Sequence, residues 1–210
     1  MWLVLAHTGD DEAARIAREL GAQLVTPRAL SQRGWQHYPV GGGRDVLPIG
    51  GEVIDAAAIT GVVTRISAVQ AADLPHIADD DRAYIAAEMS AFLLSFLVAL
   101  RCPRFNRPTA PSLMGPGFTT VRWRAAAAAA GFVAEVAEDE GELAVVVGAR
   151  CFGAPDDASA QAALALARVA NVELLGVRLA AGARFAGARP WCHLPPDALG
   201  ALRERLAEAA

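Results

Sequence analysis

"WLVLAHTGDDEAARIARELGAQLVT", residues 2–26, decides the fold class. Trp2–Ala6 is an unbroken apolar run, the pattern of a strand buried on both faces. His7-Thr8-Gly9 turns the chain, and Asp10 or Thr8 stands where a helix cap is needed. Asp11–Leu20 carries Ala13, Ile16, Ala17 and Leu20 at helical spacing, and Gly21 stops it. Gln23–Thr26 then returns as a strand parallel to the first. A βαβ opening of this kind commits the chain to an α/β fold with a parallel sheet.

The rest of the chain follows suit. Residues 31–43 are polar, aromatic and glycine-rich, a loop. Val46–Ile49 and Glu52–Ile54 flank Gly50-Gly51, the signature of a tight hairpin. Gly61–Ile66 reads as a buried strand. Asp79–Arg101 reads as a long core helix: Ile85, Met89, Phe92, Leu93, Phe96, Leu97 and Leu100 keep helical spacing, and Asp79, Asp80 and Asp81 suit the positive end of its dipole. Arg104–Asn106 is a short strand and Pro108–Gly117 a loop. Thr119–Ala130 is an alanine-rich helix closed by Gly131. Phe132–Val136 and Leu143–Val147 flank an acidic turn, suggesting a second hairpin. A helix over Ala158–Val169, a strand over Val172–Leu179, a glycine-rich turn and a helix over Pro196–Ala209 complete the order.

Composition narrows the function. The chain has 210 residues, 54% of them hydrophobic, and a net charge of −4, so it has a globular core and no basic field for nucleic acid. Three cysteines, with no CxxC pair, suit a reducing compartment better than a disulfide framework. Met1–Ala6 carries no basic leader and Asp10, Asp11 and Glu12 follow, unlike a secretory signal; the most apolar run, Ala91–Leu100, is half a membrane span. A cytoplasmic protein without membrane contact is expected. All nineteen basic residues are arginines. Phosphate-loop NTPases, Schiff-base enzymes and most ATP-dependent ligases lose their usual ammonium in such a chain.

Three stretches together resemble the ATP-grasp ligases, in particular the branch that modifies ribosomally made peptides. They are "GGEVIDAAAITGVVTRIS" (50–67), "DDDRAYIAAEMSAFLLSFLVAL" (79–100) and "PRFNRPTAPSLMGPGFTTVRWRAAAAAAGF" (103–132), matching through Arg65, Tyr84, Glu88, Asn106 and Pro108. "AVVVGARCFG" (144–153) resembles the family's valine-rich strand pair, and residues 163–209 resemble its closing helix, strand, strand and helix. The resemblance implies a pre-ATP-grasp-like parallel-sheet domain over 1–115 and a reduced ATP-grasp-like α+β remnant over 116–210.

The resemblance also implies what is missing. Between Gly131 and Ala144 the family inserts a lid with a glycine-rich loop and lysines that grip ATP; this chain has about a dozen residues there. The family's last strands supply an Asp and a Glu-x-Asn for magnesium, whereas this chain writes "LLGVRLA" (174–180), with Arg178 in the acid's place, and "GARPWCHLP" (187–195), with no carboxylate. The reading is a pseudo-ATP-grasp protein with no catalytic residue, no cofactor and no metal. Its expected role is that of a partner or recognition subunit for a peptide or a companion biosynthetic enzyme, self-associating or hetero-oligomeric. The rival is a small ATP-dependent ligase or transferase in which Arg178, Arg184 or Arg189 replaces the lysines.

Binding is expected at Arg65, Tyr84, Glu88, Asn106 and Arg107; the resemblance brings Arg65, Glu88, Asn106 and Arg107 to one edge of the first sheet, where open α/β sheets take ligands. Arg65 with Glu88 reads equally well as a structural ion pair. His7–Asp10 reads as a capped helix start rather than an anion site, because Asp10, Asp11 and Glu12 already occupy it. Cys192-His193 offers a thiol beside an imidazole, set against a loop anchored by Trp191. Cys102 and Cys151 read as buried apolar residues, and His37 and His76 as isolated.

Overall fold

The computed structural model describes residues 1–40, 42–133, 141–180 and 184–208. The chain divides into two compact units, Met1–Gly115 and Pro116–Glu208.

The first unit runs β1 (Trp2–Leu5), α1 (Asp11–Leu20), β2 (Gln23–Val25), α2 (Pro27–Leu30), β3 (Val46–Ile49), β4 (Glu52–Asp55), β5 (Gly61–Thr64), α3 (Asp79–Ala99) and β6 (Arg104–Phe105). Its main sheet has the order β2-β1-β5-β6 and every pair is parallel. β1 is central, which is why Trp2–Ala6 shows no polar alternation. β3 and β4 form a separate antiparallel hairpin whose register, Ile49 opposite Glu52, leaves Gly50 and Gly51 as the two turn residues. Both have positive φ, 61° and 87°, a conformation that matches strand twist and suits glycine.

α3 buries one face only. Leu93, Phe96 and Leu97 pack with Leu3, Leu5 and Val62 of the sheet, while Tyr84 and Val98 are exposed. The expectation of a helix buried as a core element holds for that stripe alone. By length and composition α3 is also the one described helix long and apolar enough to cross a membrane. Trp35 meets Phe92 and Phe96 edge to face, at centroid distances of 5.0 and 5.1 Å, and its indole N–H donates to the Leu30 carbonyl. The helix ends two residues before the expected Arg101. There Arg104 Nη1 donates to the carbonyls of Leu97, Val98 and Leu100 at 2.6, 3.0 and 2.5 Å, so a cation at the start of β6 satisfies the orphan acceptors of α3.

The second unit runs α4 (Thr120–Ala129), β7 (Glu142–Val147), β8 (Arg150–Phe152), α5 (Asp157–Ala170), β9 (Leu174–Ala180), β10 (Arg184–Arg189) and α6 (Pro196–Ala207). Its sheet, β10-β9-β7-β8, is antiparallel throughout. The expected hairpin over 132–147 falls largely outside the described residues; β7 pairs instead with β8 and β9. Strand alternation sorts the side chains. Ala144, Val146, Leu175, Val177 and Leu179 pack with α4 and α5. Val145, Val147 and Leu174 point the other way and are buried as well, where α6 lies along β7 and β8 and buries Leu199, Leu202 and Leu206.

One irregularity matters later. β10 pairs Phe185 with Leu179 and Gly187 with Arg178, so Ala186 is an extra residue in the ladder.

Phe96→Ala is expected to destabilise the first unit by about 3–5 kcal/mol through the cavity left against β1 and β5. Val98→Ala, on the exposed side of the same helix, should change stability by less than about 0.5 kcal/mol. Chemical denaturation of the two variants checks the pair.

Candidate functional site

The parallel strands of the first unit deliver their following residues to one edge of the sheet, the carboxyl edge where open α/β sheets bind ligands. β1 delivers His7 and Asp10, β5 delivers Arg65, and β6 delivers Asn106. Asp10 carries two loads. Its Oδ1 accepts the Ala13 backbone N–H at 2.9 Å and so caps α1. The same carboxylate receives Arg65 Nε and Nη2 at 2.9 and 3.2 Å, a forked pair in which the Arg65 side chain is only 6% exposed.

Beside this pair, Asp73 is buried in a 3-10 turn and accepts the Gln70 backbone N–H at 2.7 Å. Its two carboxylate oxygens lie 2.9 and 3.0 Å from His7 Nδ1. A carboxylate on Nδ1 favours the tautomer that leaves Nε2 as the proton-accepting nitrogen. His7 is thus an oriented imidazole rather than a passive turn residue.

The expected binding residues separate into two groups. Arg65 and Asn106 are buried at the ends of adjacent strands, and Asn106 Nδ2 donates to the Met114 carbonyl at 3.4 Å. Tyr84 and Glu88 lie one turn apart on the exposed side of α3, and Arg107 is exposed. Arg65 pairs with the carboxylate of Asp10, from the turn after β1, and Glu88 lies on the exposed side of α3. Near Tyr84 and Glu88, Ala83, Ala87 and Ala91 of α3 and the segments 67–71 and 110–113 line an open groove of about 610 Å³.

Two histidine readings also change. His37 is not isolated: its Nδ1 meets Asp45 and its Nε2 meets Ser95, each at 2.9 Å, which ties the 31–43 loop to α3. His76 Nε2 lies 2.9 Å from the Ser31 hydroxyl. Sequence reasoning missed Asp73 and Asp45 because neither belongs to a motif; each reaches its histidine only through the tertiary fold. The cysteines exchange roles as well. Cys102 and Cys151 are half-buried and Cys192 is the buried one. Burial pushes the Cys102 and Cys151 thiols up from the usual range.

In the second unit, a cleft of about 310 Å³ opens on the part of the sheet face that α6 leaves uncovered. Arg178 and Arg189 line it with Trp191, Cys192 and His193, over Gly176 and Gly187. Arg184, opposite Ala180 at the far end of β10, is not among its lining residues. This is the surface on which the resemblance calls for magnesium ligands. The residues present do not fit: none of the described lining residues is a carboxylate, and hard Mg²⁺ needs oxygen donors. Among the described residues no group of three or more His, Cys, Asp or Glu is placed to hold a metal ion.

No protein-family model and no curated protein sequence matches the chain. Solved structures do. The macrocyclase MdnC of Microcystis aeruginosa MRC, determined with its precursor peptide MdnA, is similar with a TM-score of 0.71 at 10% identity, over 98% of each chain. The ATP-grasp ligase PsnB, determined with a minimal precursor, Mg and ADP, gives 0.67 at 12% identity, over 99% of this chain and 97% of the other. A RiPP-associated ATP-grasp ligase of Chryseobacterium gregarium, with ADP and a leader and core peptide, gives 0.59 at 9% identity, over 99% and 96%. The likeness is one of fold: the chain has the fold of the ATP-grasp ligases.

Asp10→Ala is expected to cost about 3–5 kcal/mol, the penalty for removing one member of a buried ion pair, whereas a lost cap alone is worth about 1 kcal/mol. Asp10→Asn, which keeps a capping oxygen, separates the two contributions in urea denaturation. Cys102 and Cys151 should alkylate more slowly at pH 7 than a free cysteine, since a raised thiol pKa means less thiolate. Mass spectrometry of iodoacetamide-treated protein reads this directly.

Proposed function

We propose that this chain is a non-catalytic partner or recognition subunit of a peptide-modification pathway, using an ATP-grasp scaffold to bind a peptide or a companion biosynthetic enzyme. Residues 1–115 serve as its pre-ATP-grasp-like domain and 116–210 as a reduced remnant of the grasp domain. The observation that carries this reading is the inverted charge of the second unit's cleft, where two arginines and no described carboxylate line the place the resemblance reserves for magnesium. Two sequence features support it: only residues 130–141 connect α4 to β7 where the resemblance calls for a lid, and the chain has no lysine.

Within this role, Tyr84, Glu88 and Arg107 do the contacting, being exposed, while buried Arg65 and Asn106 hold the strand ends in place. The solved relatives determined with precursor peptides make a peptide the leading partner. Exposed Val98 and Val121 supply apolar surface for association with itself or with another subunit, in the cytoplasm.

One observation favours the rival ligase reading, namely that Arg178 and Arg189 reach a common cleft. Magnesium separates the two. The full chain with millimolar Mg·ATP is expected to release no ADP, and Mg·ATP should raise the melting temperature no more than ATP with EDTA does. ADP release, or a magnesium-dependent stabilisation of several degrees, selects the ligase.

A further inference from the structure

The outer face of α3 carries an order that the sheet does not use. Leu93, Phe96 and Leu97 pack on the sheet, yet only 22% of the helix's apolar stretch is buried. On the opposite side Tyr84, Ala87, Ala91, Leu94 and Val98 follow one another at steps of three and four, the spacing of a coiled-coil seam. Leu94 is half-buried and the other four are exposed, Tyr84 by 66% and Val98 by 58%. The same steps reach Asp80 at one end and Arg101 at the other, and both are exposed.

A lipid surface does not suit this stripe. Asp79, Asp80, Asp81 and Glu88 border it with negative charge, where membrane-surface helices carry Lys and Arg, and the other face of the helix is committed to the sheet. A second copy does suit it, because the stripe is complementary to itself. With two helices antiparallel about Ala91, Tyr84 of each meets Val98 of the other, Ala87 meets Leu94, and Asp80 meets Arg101. Small thus faces large beside the axis, opposite charges face each other at both ends, and the alanine on the axis lets the backbones approach. One patch serving both subunits in this way is what two-fold pairing requires. We propose that the chain forms a homodimer through α3, with two copies of the helix packed antiparallel along the stripe from Tyr84 to Val98 and an Asp80–Arg101 pair at each end. The inference rests on the partner-subunit reading in one respect: Tyr84, a contact residue there, here contacts a second copy, while Arg107 lies outside the stripe.

Sedimentation equilibrium of the full chain at micromolar concentrations is expected to give twice the monomer mass of 21.9 kDa. Ala91→Arg sets two guanidinium groups against each other on the axis and should leave a monomer with the circular dichroism of the parent. Asp80→Arg or Arg101→Asp alone should weaken the dimer about tenfold, since each sets like charges together at both ends. The double exchange, Asp80→Arg with Arg101→Asp, should restore it. A nonspecific apolar contact gives no such restoration, and this arm stands even if Ala91→Arg fails to fold. Val121→Ala, at an exposed position of α4, should change nothing. A monomer at every concentration, a dimer indifferent to these substitutions, or an exchange without restoration overturns the proposal. So does a monomer that co-sediments with phosphatidylcholine vesicles, which assigns the stripe to a lipid surface. No readout here involves nucleotide, so a monomer would leave the partner-subunit reading to its own magnesium test.

Discussion

The first unit depends on the carboxylate of Asp10. A parallel sheet needs its first helix to leave the end of β1 at a fixed angle and pack back, and Asp10 fixes that departure by capping α1. The same carboxylate neutralises Arg65, a guanidinium that the end of β5 places almost out of water. Each role supports the other. The cap is held still by the guanidinium, and the guanidinium tolerates burial because the cap is there. With Arg65 anchored and its backbone N–H donating to the Leu5 carbonyl, β1 and β5 stay in register to their ends. His7, Asp73 and Asn106 are thereby gathered along one edge, although they are far apart in sequence.

Arg104 does comparable work at the far side of that sheet. It stands between α3 and β6 and gives one nitrogen to three helix carbonyls, fixing where the long helix stops and where the last strand begins. Desolvation pulls its pKa below the ordinary arginine value, the mark of a cation spent on structure rather than displayed to solvent.

Much of the fold was legible in the sequence because its signals are local. The βαβ opening, the Gly50-Gly51 hairpin, the bounds of α1 and the alanine-rich α4 follow from periodicity, caps and stop residues within a few positions of each element. What stayed hidden was long-range. Asp10 reads in sequence as a cap and nothing more; its second partner lies 55 residues away. Asp73 meets His7 across 66 residues, and Asp45 reaches His37 from the end of a loop with no periodic pattern. Charge pairs of this kind leave no trace in spacing, so nothing in the sequence around Arg65 points to Asp10.

The single extra residue at Ala186 decides which side chains of β10 face the cleft of the second unit. Side chains on a strand take alternate sides, so whatever follows a one-residue insertion changes sides as a block. Beyond Ala186, Gly187 and Arg189 stand on the open side and Ala188 is turned into the hydrophobic layer beneath α4 and α5. The polarity of this surface is thus written in the parity of the chain as much as in the identity of its residues. A one-residue change in the length of β10 would therefore exchange the residues presented on the two faces of the sheet without changing the composition of the strand.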